Sequence, residues 1–272
     1  MYWTEELFKV KKPIISMLHL QPLPGDPKFK SSDSMKRVVE LARKDLHAIQ
    51  DGGVDGIIFS NEFSLPYQRH MSFVTPSAMA RVIGELMQEI KVPFGVDCIS
   101  DGLATIELSA AVNASFARGT FSGVYVGDGG FYNNELSEVI RRKDALRLDD
   151  LKLLYFLNPE SDVNLDNRDL NAIARSLVFK AAPDALCISG SAAGAGVNNE
   201  LLRQIKQAVP DSVVFANTGC NKDTIAGKLE ICDGAVVATT FKYDGDLYNA
   251  VDPERVKEFM RRVFDYRKSH QD

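Results

Sequence analysis

Cysteine, histidine and tryptophan are scarce in this chain, with four, four and one residues among 272, and positive charge is not in excess. Each shortage removes a class of explanation. Cys98, Cys187, Cys220 and Cys232 form no C-x-x-C pair and have no histidines at zinc-like spacing, so neither a zinc module nor a disulfide framework is expected. Cys98 and Cys187 fall in or beside apolar strands, where a thiol packs as a small hydrophobe, and Cys220 has no adjacent base to ionise it. A formal net charge of -5 leaves no basic face for nucleic acid. The run Arg141-Arg142-Lys143 sits among Glu135, Glu138 and Asp144 and reads as a solvated helix face. No apolar stretch reaches the roughly 20 residues of a spanning helix. The opening MYWTEELFKV carries acids where a signal peptide carries bases, so a cytoplasmic protein without a membrane span is expected.

What remains is an ordinary globular composition, 45% hydrophobic and 25% charged, with a strong alternation of apolar runs and helical spacing. The runs IISML, GIIF, KLLYFL, ALCI, VVFA and AVVA are continuous rather than alternating, as strands buried on both faces must be. Counting along the chain predicts strands at Ile14 to Leu18, Gly56 to Phe59, Pro93 to Val96, Ala114 to Ala117, Lys152 to Leu157, Asp184 to Ile188, Val213 to Ala216 and Gly234 to Ala238. Helices are expected between them, among them Ser34 to Gln50, Asp101 to Val112, Asn199 to Ala208 and Pro253 to Arg267. Another is expected from Pro76 to Ile90, with Thr75 as its N-cap. The segment after strand four, GTFSGVYVGDGGFYNNE, reads as a long loop with room for one small extra strand, and Asp128 as a turn residue. Eight strands in a chain near the roughly 250 residues typical of the fold point to α/β architecture, a single (β/α)8 TIM barrel as one domain over 1–272.

In such a barrel the chemistry lies at the carboxyl ends of the strands. His19 follows strand one in MLHLQPLPGDP, a loop stiffened by three prolines that can hold an imidazole for acid/base work. Glu62 and Asp97 come from neighbouring strands and could share a substrate hydroxyl or a divalent cation. Arg118 follows strand four and points to an anion or to one of these acids. These four are the catalytic candidates. Structural readings stand beside them: a hydrogen-bonded core histidine for His19, caps or ion-pair partners for the acids. No cofactor is identified beyond the divalent metal that Glu62 and Asp97 would allow.

The second half carries a different signal. Gly219 after strand seven and Thr239-Thr240 after strand eight offer close backbone approach, N–H groups and hydroxyl donors, which are what a phosphate requires. Lys242 would add a point charge. Ser189-Gly190, followed by Ala193-Gly194-Ala195-Gly196, offers another small-residue loop, and Asn217-Thr218 ends strand seven. Asn61, Ser189, Gly190, Asn217, Gly219, Thr239, Thr240 and Lys242 are therefore the substrate- and phosphate-binding candidates.

The segments MLHLQPLPGDP, GGVDGIIFSNEFSLPY, SFARGTFSGVYVGDGG, PDALCISG, ANTGCN and DGAVVATTFK, in this order, resemble the BtpA family and most closely its SgcQ-type branch. The resemblance spans essentially the whole chain. It implies a ribulose-phosphate-binding-like TIM barrel, a family named for a member needed for photosystem I accumulation, and a branch linked to sugars. His19, Asn61, Pro66, Arg118 and Asp128 fit its pattern. The broader family tends to show Glu-Asn after strand two and Lys-His after strand five. This chain has Ser60-Asn61 and Leu157-Asn158-Pro159 there, with Glu62 and Glu160 nearby as the groups that would substitute.

Together these readings predict an enzyme of isomerase, epimerase or aldolase type acting on a small phosphorylated sugar or related metabolite. Lysine Schiff-base chemistry is disfavoured, since no lysine but Lys242 ends an inner strand. The alternatives are a non-catalytic complex-biogenesis or stability factor using the barrel as scaffold, or a nucleoside or nucleotide hydrolase, for which no Walker-type loop exists. The expected partner is a small phosphorylated molecule, with a homo-oligomer as the general prior.

Overall fold

The computed structural model describes residues 2–160, 162–190, 195–217 and 219–270. A short helix α1 (Trp3–Phe8) precedes strand β1 (Ile14–His19) and helix α2 (Met35–Asp51). Strand β2 (Gly56–Ser60) leads to α3 (Val74–Leu86), and β3 (Phe94–Asp97) to α4 (Gly102–Val112). After β4 (Phe116–Gly119) come a hairpin, β5 (Gly123–Gly127) and β6 (Gly130–Asn134), and helix α5 (Leu136–Ala145). Strand β7 (Lys152–Asn158) is followed by the two-residue β8 (Val163–Asn164) and α6 (Leu170–Ala181). Then come β9 (Ala185–Ile188), α7 (Asn199–Ala208), β10 (Val214–Ala216), α8 (Ile225–Leu229), β11 (Gly234–Val237) and α9 (Pro253–Ser269).

Eight of the strands, all parallel to their neighbours, close in the order β1-β11-β10-β9-β7-β4-β3-β2. This is the TIM barrel that the run count predicts. Closure follows from burial on both faces: every residue of β1, β2, β3, β4, β9, β10 and β11 is buried. Alternate positions face inward, where Ile15, Met17, Ile58, Phe116, Leu154, Cys187, Phe215 and Val236 fill the interior. The intervening positions, among them Ile14, Leu18, Ile57, Phe59, Val96 and Ala216, pack under the helices.

Local chemistry sets the helix starts. Ser34 accepts from the Arg37 N–H, Asp101 from Ala104 and Asp169 from Ala172, each satisfying an N–H that the helix cannot. Thr75 does not cap: α3 begins at Val74 and the Thr75 side chain is buried inside its first turn. Helix α8 is only five residues long. Helix α1 was not expected at all; it closes the amino end of the barrel. The Phe8 ring lies 5.5 Å from Phe116, edge to face, and Trp3 Nε1 donates to the Asp184 carbonyl at 2.8 Å.

The long segment after β4 holds more order than one extra strand. β5 and β6 form a hairpin turning at Asp128-Gly129, as the turn reading of Asp128 anticipates, and β8 joins β5 from the loop after β7. Arg69, from the loop after β2, stacks 3.6 Å over the Tyr132 ring. No helix among the described residues is long and apolar enough to cross a membrane.

Candidate active site

The side-chain period of two that fills the barrel interior also builds the site. One step beyond the apolar interior positions, two residues along each strand, lie His19 after Met17, Ser60 after Ile58, Arg118 after Phe116, Ser189 after Cys187 and Asn217 after Phe215. Asp97 follows Gly95 in the same way, and the ladder pairs His19 with Ser60 and Ser60 with Asp97. A greasy interior is thus topped by a polar layer. His19, Ser60, Asp97, Arg118, Ser189 and Asn217 are all buried.

Buried polar groups must be paired, and most of this layer is. Arg118 Nε and Nη2 each lie 2.9 Å from Asp97 Oδ2, and Nη1 donates to Asn217 Oδ1 at 2.9 Å. Asn217 Nδ2 donates in turn to Ser189 Oγ at 3.0 Å. Asn158 closes the chain against the same loop, donating to the Ser189 carbonyl at 2.9 Å and accepting its N–H at 3.0 Å. The guanidinium also lies 4.7 Å over the Phe156 ring. Arg118 is therefore a fixed hub with its carboxylate partner. Burial pushes the Asp97 carboxyl above its ordinary range against the pull of Arg118, and two 2.9 Å contacts are the geometry of an ionised pair.

Among the described residues, two polar atoms of the layer have no partner: His19 Nδ1 and Ser60 Oγ. The other His19 nitrogen, Nε2, stands 3.7 Å from Glu62 Oε2. Burial, with Lys242 and Arg118 adding to it, holds this imidazole well below its ordinary pKa, so the ring is neutral near pH 7. Glu62 accepts from the Tyr67 hydroxyl at 3.4 Å, and burial raises its carboxyl, with Arg118 opposing and Asp97 reinforcing. Glu160, in the loop after β7, is pushed up to about 7 by burial, with Arg118 opposing and Glu62 reinforcing. Glu62 is therefore near enough to act on Glu160.

His19 is placed by the strand rather than by the proline-rich loop: it is the last residue of β1, and Leu20 N donates to the Ser60 carbonyl at 2.8 Å. The loop has another task. Asp26 Oδ2 accepts from Leu23 N and from Ser64 Oγ, both at 2.6 Å, and so ties the loop behind His19 to the one that carries Glu62.

Of the expected binding residues, Ser189 and Asn217 belong to the polar layer and the others lie outside it. Asn61, next to inward-facing Ser60, spends its Oδ1 on the Ile99 N–H at 2.8 Å and so joins two loops. Lys242 is buried with Nζ 3.3 Å from Asp45 Oδ2 on α2, and Asp45 Oδ1 accepts from Val251 N. Its charge is committed to that carboxylate, not free at the mouth as a phosphate anchor would need. Gly190 and Gly219 sit where two loops touch. A Cβ on Gly190 would come 2.2 Å from the Ala195 carbonyl oxygen, and one on Gly219, whose φ is +62°, 2.2 Å from Gly196 N. Thr239 and Thr240 begin the short 3-10 helix Thr239–Phe241, half-buried at the rim, and the Thr240 carbonyl accepts from Arg255 Nε at 2.9 Å. Thr218 and the Ala193-Gly194 part of the loop after β9 fall outside the described residues. Among the described residues, no three His, Cys, Asp or Glu side chains group as they would around a metal ion.

Ser60 has no assigned role in the sequence, and Glu160 only that of a substitute group under the family resemblance. The signal for Ser60 was available, since it stands two positions beyond inward-facing Ile58. The signal for Glu160 is its place after a strand together with the family resemblance.

Comparison with known proteins bears on the family and on the barrel. The BtpA family model matches residues 10–265. The sgc region protein SgcQ of Escherichia coli K12 is 44% identical over 268 residues, covering 98% of this chain and 100% of that protein. The photosystem I biogenesis protein BtpA of Synechocystis is 28% identical over 271 residues, covering 97% and 92%. Among solved structures, the (S)-3-O-geranylgeranylglyceryl phosphate synthase of Thermoplasma acidophilum superposes with a TM-score of 0.58 at 16% identity, over 97% of this chain and 99% of that one. At that identity the likeness speaks for the barrel alone.

Proposed function

The chain belongs to the BtpA family, and from that footing we propose that its barrel mouth is the active site of a cytoplasmic enzyme acting on a small phosphorylated sugar or related metabolite. One observation carries the reading. A ring of buried polar side chains stands at the carboxyl ends of the strands, with His19 Nδ1 and Ser60 Oγ without partners among the described residues. A buried hydroxyl or ring nitrogen without a hydrogen bond costs about 1–3 kcal/mol, and a ligand's hydroxyls or carbonyl would recover it.

The chemistry that fits is proton transfer next to a carbonyl, as in isomerisation or epimerisation. Burial and the neighbouring Glu62 push Glu160 up to about 7, so near neutral pH it is divided between its acid and base forms and can give or take a proton. The neutral His19 ring beside Glu62 supplies a hydrogen bond to a substrate oxygen without adding charge. Arg118, fixed by Asp97 and Asn217, stabilises negative charge that develops on that oxygen. Cleavage through a lysine Schiff base is disfavoured, because the Lys242 ammonium is held by Asp45. The phosphate is assigned to the rim at Gly219, Thr239 and Thr240, with Ser189 and Asn217 below it.

A thermal-shift screen with sugar phosphates tests the proposal: at least one should raise the unfolding temperature of the full chain, and raise it less in a Ser60→Ala variant. No stabilisation by any of them, or by inorganic phosphate, would overturn it. The name of the Synechocystis relative favours a second reading, a non-catalytic biogenesis factor. Under that reading His19→Ala and Ser60→Ala would leave partner assembly intact and no small ligand would bind.

A further inference from the structure

The charges at the mouth do not balance, and this says something about the ligand. Arg118 is matched by Asp97, and Lys242 by Asp45. Among the described residues no other Lys or Arg forms an ion pair with the groups of the mouth. Glu62 has the Tyr67 hydroxyl and the His19 ring within reach, and no Lys or Arg as an ion-pair partner. Glu160 makes no hydrogen bond or ion pair with any described residue, although it too is largely out of water. Two sheltered carboxyls thus feel the more distant Arg118 charge but form no ion pair with a described Lys or Arg, in a position that the barrel's own stability does not require.

Beside them lie groups that wait for a ligand. The His19 side chain is 3% exposed, its Nε2 lies against Glu62, and its Nδ1 has no partner. Ser60 Oγ, on a residue with no exposure, is likewise unpaired, in register between His19 and Asp97 on the floor of the same space. These are hydroxyl-recognising groups next to an uncompensated acid pair. The combination matches a ligand that presents hydroxyls and one positive charge close together.

Resting on the sugar-phosphate reading above, we propose that the substrate carries a protonated amine, as a phosphorylated amino sugar or amino polyol does, and that Glu62 and Glu160 receive its ammonium group. Ser60 and His19 bind the neighbouring hydroxyls. Arg118 takes no part in holding the ammonium, being matched to Asp97.

Calorimetric titration of the full chain with matched pairs is the test: gluco, galacto and manno hexosamine phosphates, each against the hexose phosphate with a hydroxyl in place of the amine. In at least one pair the amino member should bind about tenfold tighter, the worth of a single charge-assisted hydrogen bond. The preference should collapse in Glu62→Gln and Glu160→Gln, with circular dichroism confirming that both variants are folded. Binding of the hydroxy members as tightly as the amino ones, or a preference that survives both substitutions, overturns the ammonium assignment and leaves the sugar-phosphate reading standing. Absence of binding by every member overturns both.

Discussion

Replacing Arg118 by methionine removes the hub of the polar layer while keeping much of its volume. The guanidinium makes two contacts of 2.9 Å to Asp97 and one of 2.9 Å to Asn217, with side-chain exposures of 8% for Arg118 and 2% for Asp97. Removing one partner of a buried pair costs about 3–5 kcal/mol, because the other charge stays buried and alone. The orphaned Asn217 carbonyl draws on the same site, so its cost overlaps rather than adds. At roughly 2–4 °C per kcal/mol for a chain of this size, the unfolding temperature should fall by about 6–20 °C. Adding Asp97→Asn removes the stranded charge, so the double variant should recover about 1–3 kcal/mol over Arg118→Met alone. The pH dependence has a defined sign. With the opposing pull of Arg118 gone, burial holds the Asp97 carboxyl above its unfolded value, and such a group destabilises the fold as pH rises through its folded pKa. The deficit of Arg118→Met should therefore shrink in acid and be greatest at neutral pH. Thermal and urea unfolding of wild type, both single variants and the double supply the cycle. A single variant within about 1 kcal/mol of wild type, or a double variant at the sum of the singles, would refute the buried pair as the hub.

Glu160, with its pKa raised to about 7, costs stability as pH rises from the ordinary carboxylate range through that value, so Glu160→Gln should stabilise the protein above neutral pH by about 1–3 kcal/mol and have little effect in acid. Unfolding temperature measured against pH for the two proteins checks this, and a difference independent of pH would refute it. Gly219→Ala should destabilise by at least about 1–3 kcal/mol, since it combines φ of +62° with a Cβ driven 2.2 Å from Gly196 N. Gly227→Ala, where only the Asn199 side-chain amide comes near, at 3.8 Å, should cost little in the same urea titration. Phe8→Ala empties the plug under Phe116 and should cost about 3–5 kcal/mol, leaving ligand binding at the opposite end of the barrel unchanged.

Much of the barrel was legible because its strands are continuous apolar runs and its helices begin at residues whose side chains can cap. The expected helix at 199–208 is observed at those bounds, and Asp101 caps α4 as its position suggests. What escaped depended on distant contacts. Helix α1 is six residues long, and its apolar Trp3 and Phe8 acquire meaning only against Asp184 and Phe116. The start of α3 was misplaced because Thr75 has a capping side chain that the fold buries instead. The site divides in the same way. Its location followed from the strand ends, and the pairing of Arg118 with an acid was one of the readings open to it. Lys242 looked available for a phosphate until the fold brought it to Asp45, 197 positions away in the chain. Ser60 was overlooked because a serine after a strand carries no chemical flag. Its importance lies in being buried and unpaired, and no local pattern records that.

The claim that the polar layer is a ligand site is tested most directly by a crystal structure with whichever sugar phosphate stabilises the protein. The ligand is expected in the barrel mouth, with its hydroxyls on Ser60 Oγ and His19 and its phosphate at the rim formed by Gly219, Thr239 and Thr240. A ligand bound elsewhere, with Ser60 and His19 satisfied by a neighbouring side chain across a closed mouth, would contradict it.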